Sequence, residues 1–339
     1  MPLKTLLQTL LSSAEPSIRY KVRVKVLGEP ADSPALLDLQ HEIKDSPRVR
    51  TLLSERDEAG WILPAGHPYK KWVGAHWVLA TLADIGYPAG EAELLPVRDQ
   101  VLNHWLQPRF VDEIICERAR NSERSIGVPV IQGRARRHAS QQGNALYAAL
   151  ALGLADDRCD RLAQLLIRWQ WPDGGWNCDR EPGADSSSFW ESLTPLRALA
   201  LYARLTGDRR ASEAAAAAAE VFLKRRLFRR LRDGQVMNTE FLSLHYPCYW
   251  RYDILFALKV MAEAGFIGDP RCAEALECLE AKALPGGGWP AEYCFYTLNP
   301  DAGSSERVSW GGASRKKMNE WVTADALYVL HAAGRLEAP

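Results

Sequence analysis

The chain has 339 residues, and its 42 lysines and arginines balance its 42 aspartates and glutamates. A balanced charge provides no field that draws a protein to nucleic acid, so we expect no nucleic-acid partner. No apolar run reaches the about 20 residues of a membrane-spanning helix. Seven cysteines without a C-x-x-C pair indicate neither a disulfide framework nor a zinc ribbon. We therefore predict a cytoplasmic protein.

The N-terminal part, residues 1–60, is predicted to be helical but less regular than the rest of a single domain that spans residues 1–339. It opens with MPLKTLLQTLL, which predicts a short amphipathic helix because Gln8 interrupts the apolar run. Strand character is confined to VPVIQ at 128–132, so the predicted fold class is all-α. Apolar segments with leucines and small residues at helical spacing predict helices at 76–87, 144–154, 192–208, 252–266 and 321–335.

A Gly-rich loop that ends in Trp occurs twice, as QWPDGGW at 170–176 and as ALPGGGW at 283–289. In both copies an Arg-Cys pair places its Cys 17 residues before the Trp, and a Pro lies four residues before it. Such regular spacing indicates a repeat protein built from stacked helix pairs. The matched residues are Cys159, Pro172 and Trp176 in the first copy, and Cys272, Pro285 and Trp289 in the second.

The string QWPDGGW resembles the QW motif of squalene-hopene cyclases and of the β subunits of protein prenyltransferases. The resemblance covers about residues 141–339 and implies an α/α toroid, a ring of helix pairs around a central cavity. Glycines permit the turn, while the Trp covers helix ends and its N–H finds a partner. The resemblance further implies an enzyme of the terpenoid cyclase and prenyltransferase-like class that acts on a small apolar, possibly isoprenoid, substrate.

The functional residues of those families match poorly. The Asp-rich DxDD string of the cyclases is absent from this sequence. The prenyltransferases place a zinc-binding Asp ten residues after the Gly-Gly pair, and Asp185 has that spacing from Gly175. Ser187 stands where their zinc-binding Cys is expected, and Trp321 stands where their zinc-binding His is expected. We therefore do not expect protein prenylation by that mechanism.

Two acidic residues in the loop at 176–193, Asp179 and Asp185, are candidate catalytic acids. A carboxyl group with a raised pKa in an aromatic cavity can protonate an alkene or an epoxide. The alternative is a turn residue or an ion pair with Arg180. In the same loop Ser188 and Glu191 have the spacing of an S-x-x-E capping box, so we interpret Glu191 as a helix cap.

The segment FLSLHYPCYWRYD at 241–253 adds His245 and Asp253 as candidate catalytic residues, with helix capping as the alternative for Asp253. Aromatic rings can stabilise a carbocation in a cavity, or they can simply fill the core. The aromatic residues that we predict to bind substrate are Trp176, Trp190, Tyr246, Tyr249, Trp250 and Tyr252.

Basic residues occur in two runs. In GRARRHASQQGN at 133–144, Arg134 is predicted to bind an anionic group of the substrate, and Arg136 and Arg137 offer the same chemistry. A solvated basic loop is the alternative. The run KRRLFRRLR at 224–232 is predicted to extend the preceding helix with a solvated basic face, and peripheral contact with an anionic membrane surface is the alternative.

Three functions are compatible with these residues. The first is acid-initiated cyclisation or isomerisation in the cavity, which needs no cofactor. The second is a zinc-dependent hydrolase, because thiolate, carboxylate and imidazole are the ligands that zinc prefers. The third is a non-catalytic helical-repeat binding module. The predicted zinc ligands of the hydrolase are Cys178, Asp179, His138 and His245.

Overall fold

The computed structural model describes residues 3–118 and 126–336. Most regular structure in these residues is helical, as the apolar periodicity predicts. The fourteen α-helices of the described residues are α1 (Leu3–Leu11), α2 (Pro16–Lys25), α3 (Pro34–Lys44), α4 (Pro47–Leu52), α5 (Ala75–Ile85), α6 (Leu95–Trp105), α7 (Pro108–Val111), α8 (Ala139–Ala151), α9 (Asp157–Arg168), α10 (Phe189–Thr206), α11 (Arg209–Leu223), α12 (Ile254–Glu263), α13 (Ala273–Glu280) and α14 (Glu320–Ala332).

A three-stranded sheet corrects the all-α prediction to a mostly helical fold. Strand β1 (Glu113–Ile115) lies parallel to β2 (Val128–Ile131), which pairs antiparallel with β3 (Arg134–Ala135). The strand predicted at 128–132 is confirmed. The other two strands were not predicted because segments of two and three residues are too short to show a period.

Six helices form a closed series of contacts: α2 packs on α5, α5 on α8, α8 on α10, α10 on α12, α12 on α14, and α14 returns to α2. We call these six the ring helices. Helices α5, α8, α10, α12 and α14 are buried along most of their length, as expected for elements with neighbours on several sides. Helix α2 supplies a ring helix from the N-terminal part of the chain.

Five further helices, α3, α6, α9, α11 and α13, each pack against a ring helix. Helix α9 shows why they lie outside the ring: it buries one stripe, Cys159, Leu162, Ala163 and Leu166, and leaves most of the remaining positions partly or fully exposed. No helix in the described part of the chain is both long and apolar enough to cross a bilayer.

The closest approach in the ring joins α8 and α10. A Cβ atom at Gly143 would lie 2.5 Å from the backbone N of Pro195, so the glycine is required for this spacing. The Thr194 hydroxyl donates to the Ser140 carbonyl across the same contact (2.8 Å). The two helices therefore hold the beginning of α10 firmly against the beginning of α8.

The two Gly-rich loops share one architecture. The indole N–H of Trp176 donates to the Leu166 carbonyl (2.9 Å), and that of Trp289 donates to the Leu279 carbonyl (2.7 Å). Both acceptors lie ten residues before their Trp, near the end of α9 and of α13. The prediction that this Trp covers a helix end and finds a partner is confirmed in both copies.

The basic run at 224–232 does not continue a helix. Helix α11 ends at Leu223, and Arg226 and Leu227 have positive φ angles of 44° and 67°. Leu227 and Phe228 are buried in the core. The predicted helical extension is therefore wrong: of the three apolar side chains in the run, Leu227 and Phe228 pack in the core, and Leu231 is exposed.

Candidate functional site

Aromatic side chains fill the ring beside the N-terminal ends of its helices. Tyr249 stacks on Trp72 with ring centroids 3.8 Å apart, and Trp77 meets Trp72 edge to face. The remaining space next to Tyr249, lined also by Thr81 and Asn144, is about 40 Å³. That volume is well below the about 300–1,000 Å³ of small-molecule sites.

Most of the aromatic residues that we predicted to bind substrate instead contact other residues within the protein. The hydroxyl of Tyr246 donates to Asp84 (2.9 Å), that of Tyr249 to Glu306 (2.6 Å) and that of Tyr252 to the Leu227 carbonyl (2.5 Å). All three tyrosines are buried. Trp190 and Trp250 are half-buried and meet edge to face. These contacts place the aromatic set in the core, together with Trp176.

His245 and Asp253 form a buried pair. The imidazole Nδ1 lies 2.7 Å from the Asp253 carboxylate, which also accepts from the backbone N–H of His245 (3.0 Å) and of Phe256 (2.7 Å). Asp253 therefore caps α12, as the alternative interpretation has it, and it ties the preceding loop to that helix.

Asp179 and Asp185 are exposed. Asp179 accepts from the backbone N–H of Glu181 (3.0 Å), and Asp185 accepts from the hydroxyl of Ser186 (2.9 Å). Both are local loop contacts of the kind that acidic residues make in turns. Neither carboxylate lies in an aromatic cavity, where we expected the catalytic acid.

Three other side chains do converge. His138, Cys178 and Glu191 each offer a ligand atom, and these atoms lie within 4.8 Å of one another. Within residues 3–118 and 126–336 they are the one group of three or more His, Cys, Asp or Glu residues with this geometry. We call them the His-Cys-Glu cluster. It contains two of the four predicted zinc ligands, while Asp179 and His245 lie elsewhere and Glu191 takes their place.

Each member of the His-Cys-Glu cluster is positioned by a different element. His138 immediately precedes α8, and Glu191 lies in the first turn of α10. Cys178 lies two residues after Trp176, in a loop that a backbone bridge between Asn177 and Arg136 attaches to the end of the small sheet. The fixed contact between α8 and α10 thus brings His138 and Glu191 together, and the sheet adds the thiol.

Glu191 corrects the capping-box prediction. Ser188 is the N-cap of α10 but makes no side-chain capping hydrogen bond. Glu191 instead reaches across to α8, where it accepts from the backbone N–H of Ser140 (3.1 Å) and its hydroxyl (2.8 Å), and pairs with His138 Nδ1 (3.0 Å). Although burial raises the pKa of this carboxyl, the hydrogen bonds from His138 and Ser140 hold it below the ordinary value.

Access to the His-Cys-Glu cluster is open on one side. The His138 side chain is 49% exposed, whereas Glu191 is buried and Cys178 is half-buried. Burial, followed by the neighbouring Glu191 carboxylate, raises the pKa of the Cys178 thiol. A cation at this position would reverse that effect, because a metal ion stabilises the thiolate that binds it.

A cleft of about 480 Å³ opens beside the cluster and is lined by His138, Cys178 and several arginines. Arg136 and Arg137 are buried, and Arg180 is half-buried. One guanidinium nitrogen of each, Arg136 Nε, Arg137 Nη2 and Arg180 Nη1, is buried without a hydrogen-bond partner in the described residues. Arg109 also lines the cleft. Arg134, which we predicted to bind the anionic group, lies over Trp171 outside the cleft, whereas Arg136 and Arg137 of the same run line it.

The arginines have distinct surroundings. Arg136 donates to the carbonyls of Asp179 (3.1 Å) and Ala184 (2.8 Å) and so holds the loop that carries Cys178. Burial lowers the pKa of Arg137 to about 10, and the guanidinium therefore remains charged at neutral pH. The cleft thus presents positive charge and unused N–H donors next to the three ligand atoms.

Sequence reasoning missed Glu191 because a local motif explained it. Its partners His138 and Ser140 precede it by 53 and 51 residues, so no local spacing links them. No protein-family model matches this chain, and no curated protein sequence matches it. The geometry of the His-Cys-Glu cluster is therefore the observation on which a functional assignment rests.

Proposed function

We propose that the protein is a metal-dependent hydrolase, with zinc held by His138, Cys178 and Glu191, that acts on a substrate with an anionic group. The observation that carries the proposal is the convergence of three zinc-type ligand atoms within 4.8 Å, at the wall of an open cleft. Three protein ligands with an open fourth position characterise catalytic zinc sites, whereas structural sites use four.

The fold that carries this site is, we propose, an α/α toroid of the terpenoid cyclase and prenyltransferase type. Support comes from the closed series of ring-helix contacts and from the outer helices that pack against it. The two matching Trp loops, each of which covers the end of an outer helix, also support a fold built from repeated helix pairs. Such folds host several reactions, so the function is argued from the site and not from the fold.

The geometry is close to that of a zinc site. Ligand bonds of about 2.0–2.3 Å in a tetrahedron place ligand atoms roughly 3.3–3.8 Å apart. The three ligand atoms lie within 4.8 Å of one another, so zinc binding requires a small movement of a ligand. The half-exposed His138 side chain can make that movement. The hydrogen bonds from Ser140 to Glu191 orient the carboxylate, as outer contacts of metal ligands commonly do.

The ligand set defines the chemistry. One thiolate and one carboxylate neutralise the divalent charge, and the metal would supply Lewis acidity and lower the pKa of a water molecule in the fourth position. The chain supplies the rest: the free N–H groups of Arg136, Arg137 and Arg180 would bind a phosphate or carboxylate of the substrate and orient it in the cleft.

Metal content tests the site directly. We expect the purified protein, loaded with zinc and dialysed, to contain about one zinc per chain, in keeping with a single three-ligand site. Cys178→Ser and Glu191→Gln should each lower metal affinity by about tenfold or more. Asp179→Asn is the matched control, because it alters the neighbouring carboxylate that the structure places outside the cluster, and it should leave affinity unchanged.

Activity tests the reaction. Zinc-loaded protein should hydrolyse p-nitrophenyl phosphate or a p-nitrophenyl ester with a carboxylate group faster than the neutral p-nitrophenyl acetate, and EDTA should abolish the rate. Arg180→Gln should remove the preference for the anionic substrate while zinc content stays the same. Zinc content below about 0.2 per chain, or equal content in the Cys178→Ser variant, would contradict the proposal.

A second candidate is the acid-initiated isoprenoid cyclase, and the buried Glu306 favours it. Burial raises the pKa of this carboxyl, which accepts from Tyr249 (2.6 Å) and contacts the Trp310 indole N–H (3.4 Å). A carboxyl group with a raised pKa among aromatic rings matches the required chemistry. Incubation with squalene, oxidosqualene and shorter polyprenyl substrates should then give cyclised products that are lost in Glu306→Gln; no product from any of them argues against this candidate.

A further inference from the structure

A cavity of about 750 Å³ opens at the opposite end of the ring from the His-Cys-Glu cluster. Several of its lining residues lie near the C-terminal ends of ring helices, for example Lys25 in α2, Ala151 in α8 and Arg204 in α10, and others lie in α3 and in the segment 86–91. Helix α8 has 13 residues and separates the two ends by about 20 Å. The cavity is therefore a different place from the cleft of the proposed zinc site.

The floor of this cavity is a closed set of ion pairs. Lys21 Nζ contacts Asp84 (3.2 Å) and Asp325 (2.8 Å), and Lys259 Nζ contacts the same two carboxylates (2.6 and 2.9 Å). All four side chains thus satisfy one another. With the Tyr246 hydroxyl on Asp84, this layer separates the cavity from the aromatic half of the ring.

Several polar groups above the floor lack such partners. Lys25 makes no ion pair within the described ranges; its amine lies 5.4 Å from the ring centroid of Tyr328. Arg204 donates to the Glu263 carbonyl (3.1 Å) but pairs with no carboxylate there. The hydroxyls of Tyr147 and Tyr328 have no hydrogen-bond partner in the part of the chain that the structure describes. Two cations and two phenols therefore face the same open space.

The cations and anions that line the cavity are equal in number, but they are not all paired with one another. Asp32 and Glu91 add carboxylates at its mouth, and Glu91 is paired with Lys44. Desolvation by the surrounding protein lowers the pKa of the Lys25 amine. Among the ion pairs of the described residues, two lining cations, Lys25 and Arg204, are left without a carboxylate, against one lining anion, Asp32. The lining cations are Lys21, Lys25, Arg197, Arg204 and Lys259, and the lining anions are Asp32, Asp84, Glu91, Glu263 and Asp325.

We infer that this cavity binds a small organic anion, whose carboxylate or phosphate group is held by Lys25 and Arg204 with hydrogen bonds from Tyr147 and Tyr328. The volume lies within the range of small-molecule sites, about 300–1,000 Å³. Leu201 and Leu205 in the wall receive the apolar part of the ligand. The site is independent of the zinc cluster and does not rest on the proposed hydrolase activity.

Isothermal titration calorimetry tests this site with three probes at constant ionic strength: succinate, hexanoate and inorganic phosphate, each against sodium chloride. We expect at least one probe to bind with one site per chain, and the order of affinities identifies the anionic group. Lys25→Gln and Arg204→Gln should each weaken binding about tenfold or more, because each removes a charge-assisted hydrogen bond. Lys316→Gln, an exposed lysine outside the cavity, is the charge-matched control and should leave affinity unchanged.

Two further measurements locate the anion. EDTA-treated protein should bind the probe as tightly as zinc-loaded protein, so failure of the zinc proposal leaves this inference intact. Arg180→Gln, which alters the cleft at the other end, should not change affinity. Binding that is lost in Arg180→Gln but retained in Lys25→Gln and Arg204→Gln overturns the inference, as does the absence of binding by all three probes at 10 mM.

Discussion

The two Trp loops of this protein are built alike and differ in the residues that come after the Trp. In each, a hydroxyl group accepts from the backbone N–H of the Trp: Ser192 for Trp176 (3.0 Å) and Thr323 for Trp289 (2.9 Å). The acceptor lies 16 residues later in the first copy and 34 residues later in the second. The repeat thus preserves a contact between a loop and the next ring helix across different chain lengths.

The residues after the Trp have separate tasks. In the first copy Cys178 joins the His-Cys-Glu cluster. At the matching positions of the second copy, Ala291 is buried, and Glu292 accepts from Lys282 Nζ (2.7 Å) and from the backbone N–H of Leu244 (3.0 Å). The residues after the second Trp thus make structural contacts, and only the first of the two copies places a residue in the His-Cys-Glu cluster.

The largest expected effect is common to both loops. Trp176→Ala and Trp289→Ala each remove a buried indole with its hydrogen bond to a helix end, and each should lower the free energy of unfolding by about 3–5 kcal/mol. Urea denaturation followed by circular dichroism measures this. Trp61→Ala is the control, because Trp61 is 40% exposed and should cost less than about 1 kcal/mol. A small loss at either repeat Trp would contradict a shared structural role.

The next largest expected effect is stabilisation by zinc, which should depend on the first Trp loop and not on the second. Zinc at about 100 times its dissociation constant should raise the free energy of unfolding by about 2.7 kcal/mol, since it binds the folded chain. We expect this gain in the native protein and in Glu292→Gln, and no gain in Cys178→Ala. Denaturation of each variant with and without zinc measures the difference. An equal gain in Cys178→Ala would place the metal elsewhere.

A smaller loss of stability should again be common to both Trp loops. Ser192→Ala and Thr323→Val each leave a buried Trp backbone N–H without its acceptor, which should cost about 1–3 kcal/mol. Zinc affinity should remain unchanged in Thr323→Val. Unequal costs, measured by urea denaturation of the two variants, would show that the longer connection in the second copy supports its Trp differently.

The smallest effect concerns pH. The Arg271 guanidinium lowers the pKa of Asp269 to about 2, and that of Arg158 lowers the pKa of Asp156. Because these values lie below the unfolded value of about 3.9, each contribution is complete above that pH and disappears as the pH falls toward 2. Solvent screening limits each to under about 1 kcal/mol. Asp269→Asn and Asp156→Asn should therefore destabilise at pH 6 and be neutral near pH 2 in pH-dependent denaturation.

Local patterns predicted much of the fold. The helices at 75–85, 139–151, 189–206, 254–263 and 320–332 were all found from leucines and small residues at helical spacing. The short strands at 113–115 and 134–135 were not, since their pairing is decided by neighbours distant in sequence. The run at 224–232 was misassigned because two of its three apolar residues, Leu227 and Phe228, pack in the core and not on a helix face.

The candidate site could be predicted only in part. His138 and Cys178 were named as ligands from their chemistry, yet the third member was assigned to a capping box on local spacing. Its true partners follow from the close contact of α8 with α10, which Gly143 permits. A motif of a few residues contains no information about contacts between residues that are 51 and 53 positions apart in the chain.

The sequence by itself determined the helical class, the repeat and the structural role of each repeat Trp, because periodicity and turn chemistry act over short stretches of chain. Tertiary structure alone decided that His138, Cys178 and Glu191 meet, that aromatic side chains fill one end of the ring, and that charged groups line the other. Those outcomes depend on how helices far apart in the chain pack, since burial and the pairing of charges are properties of the assembled core.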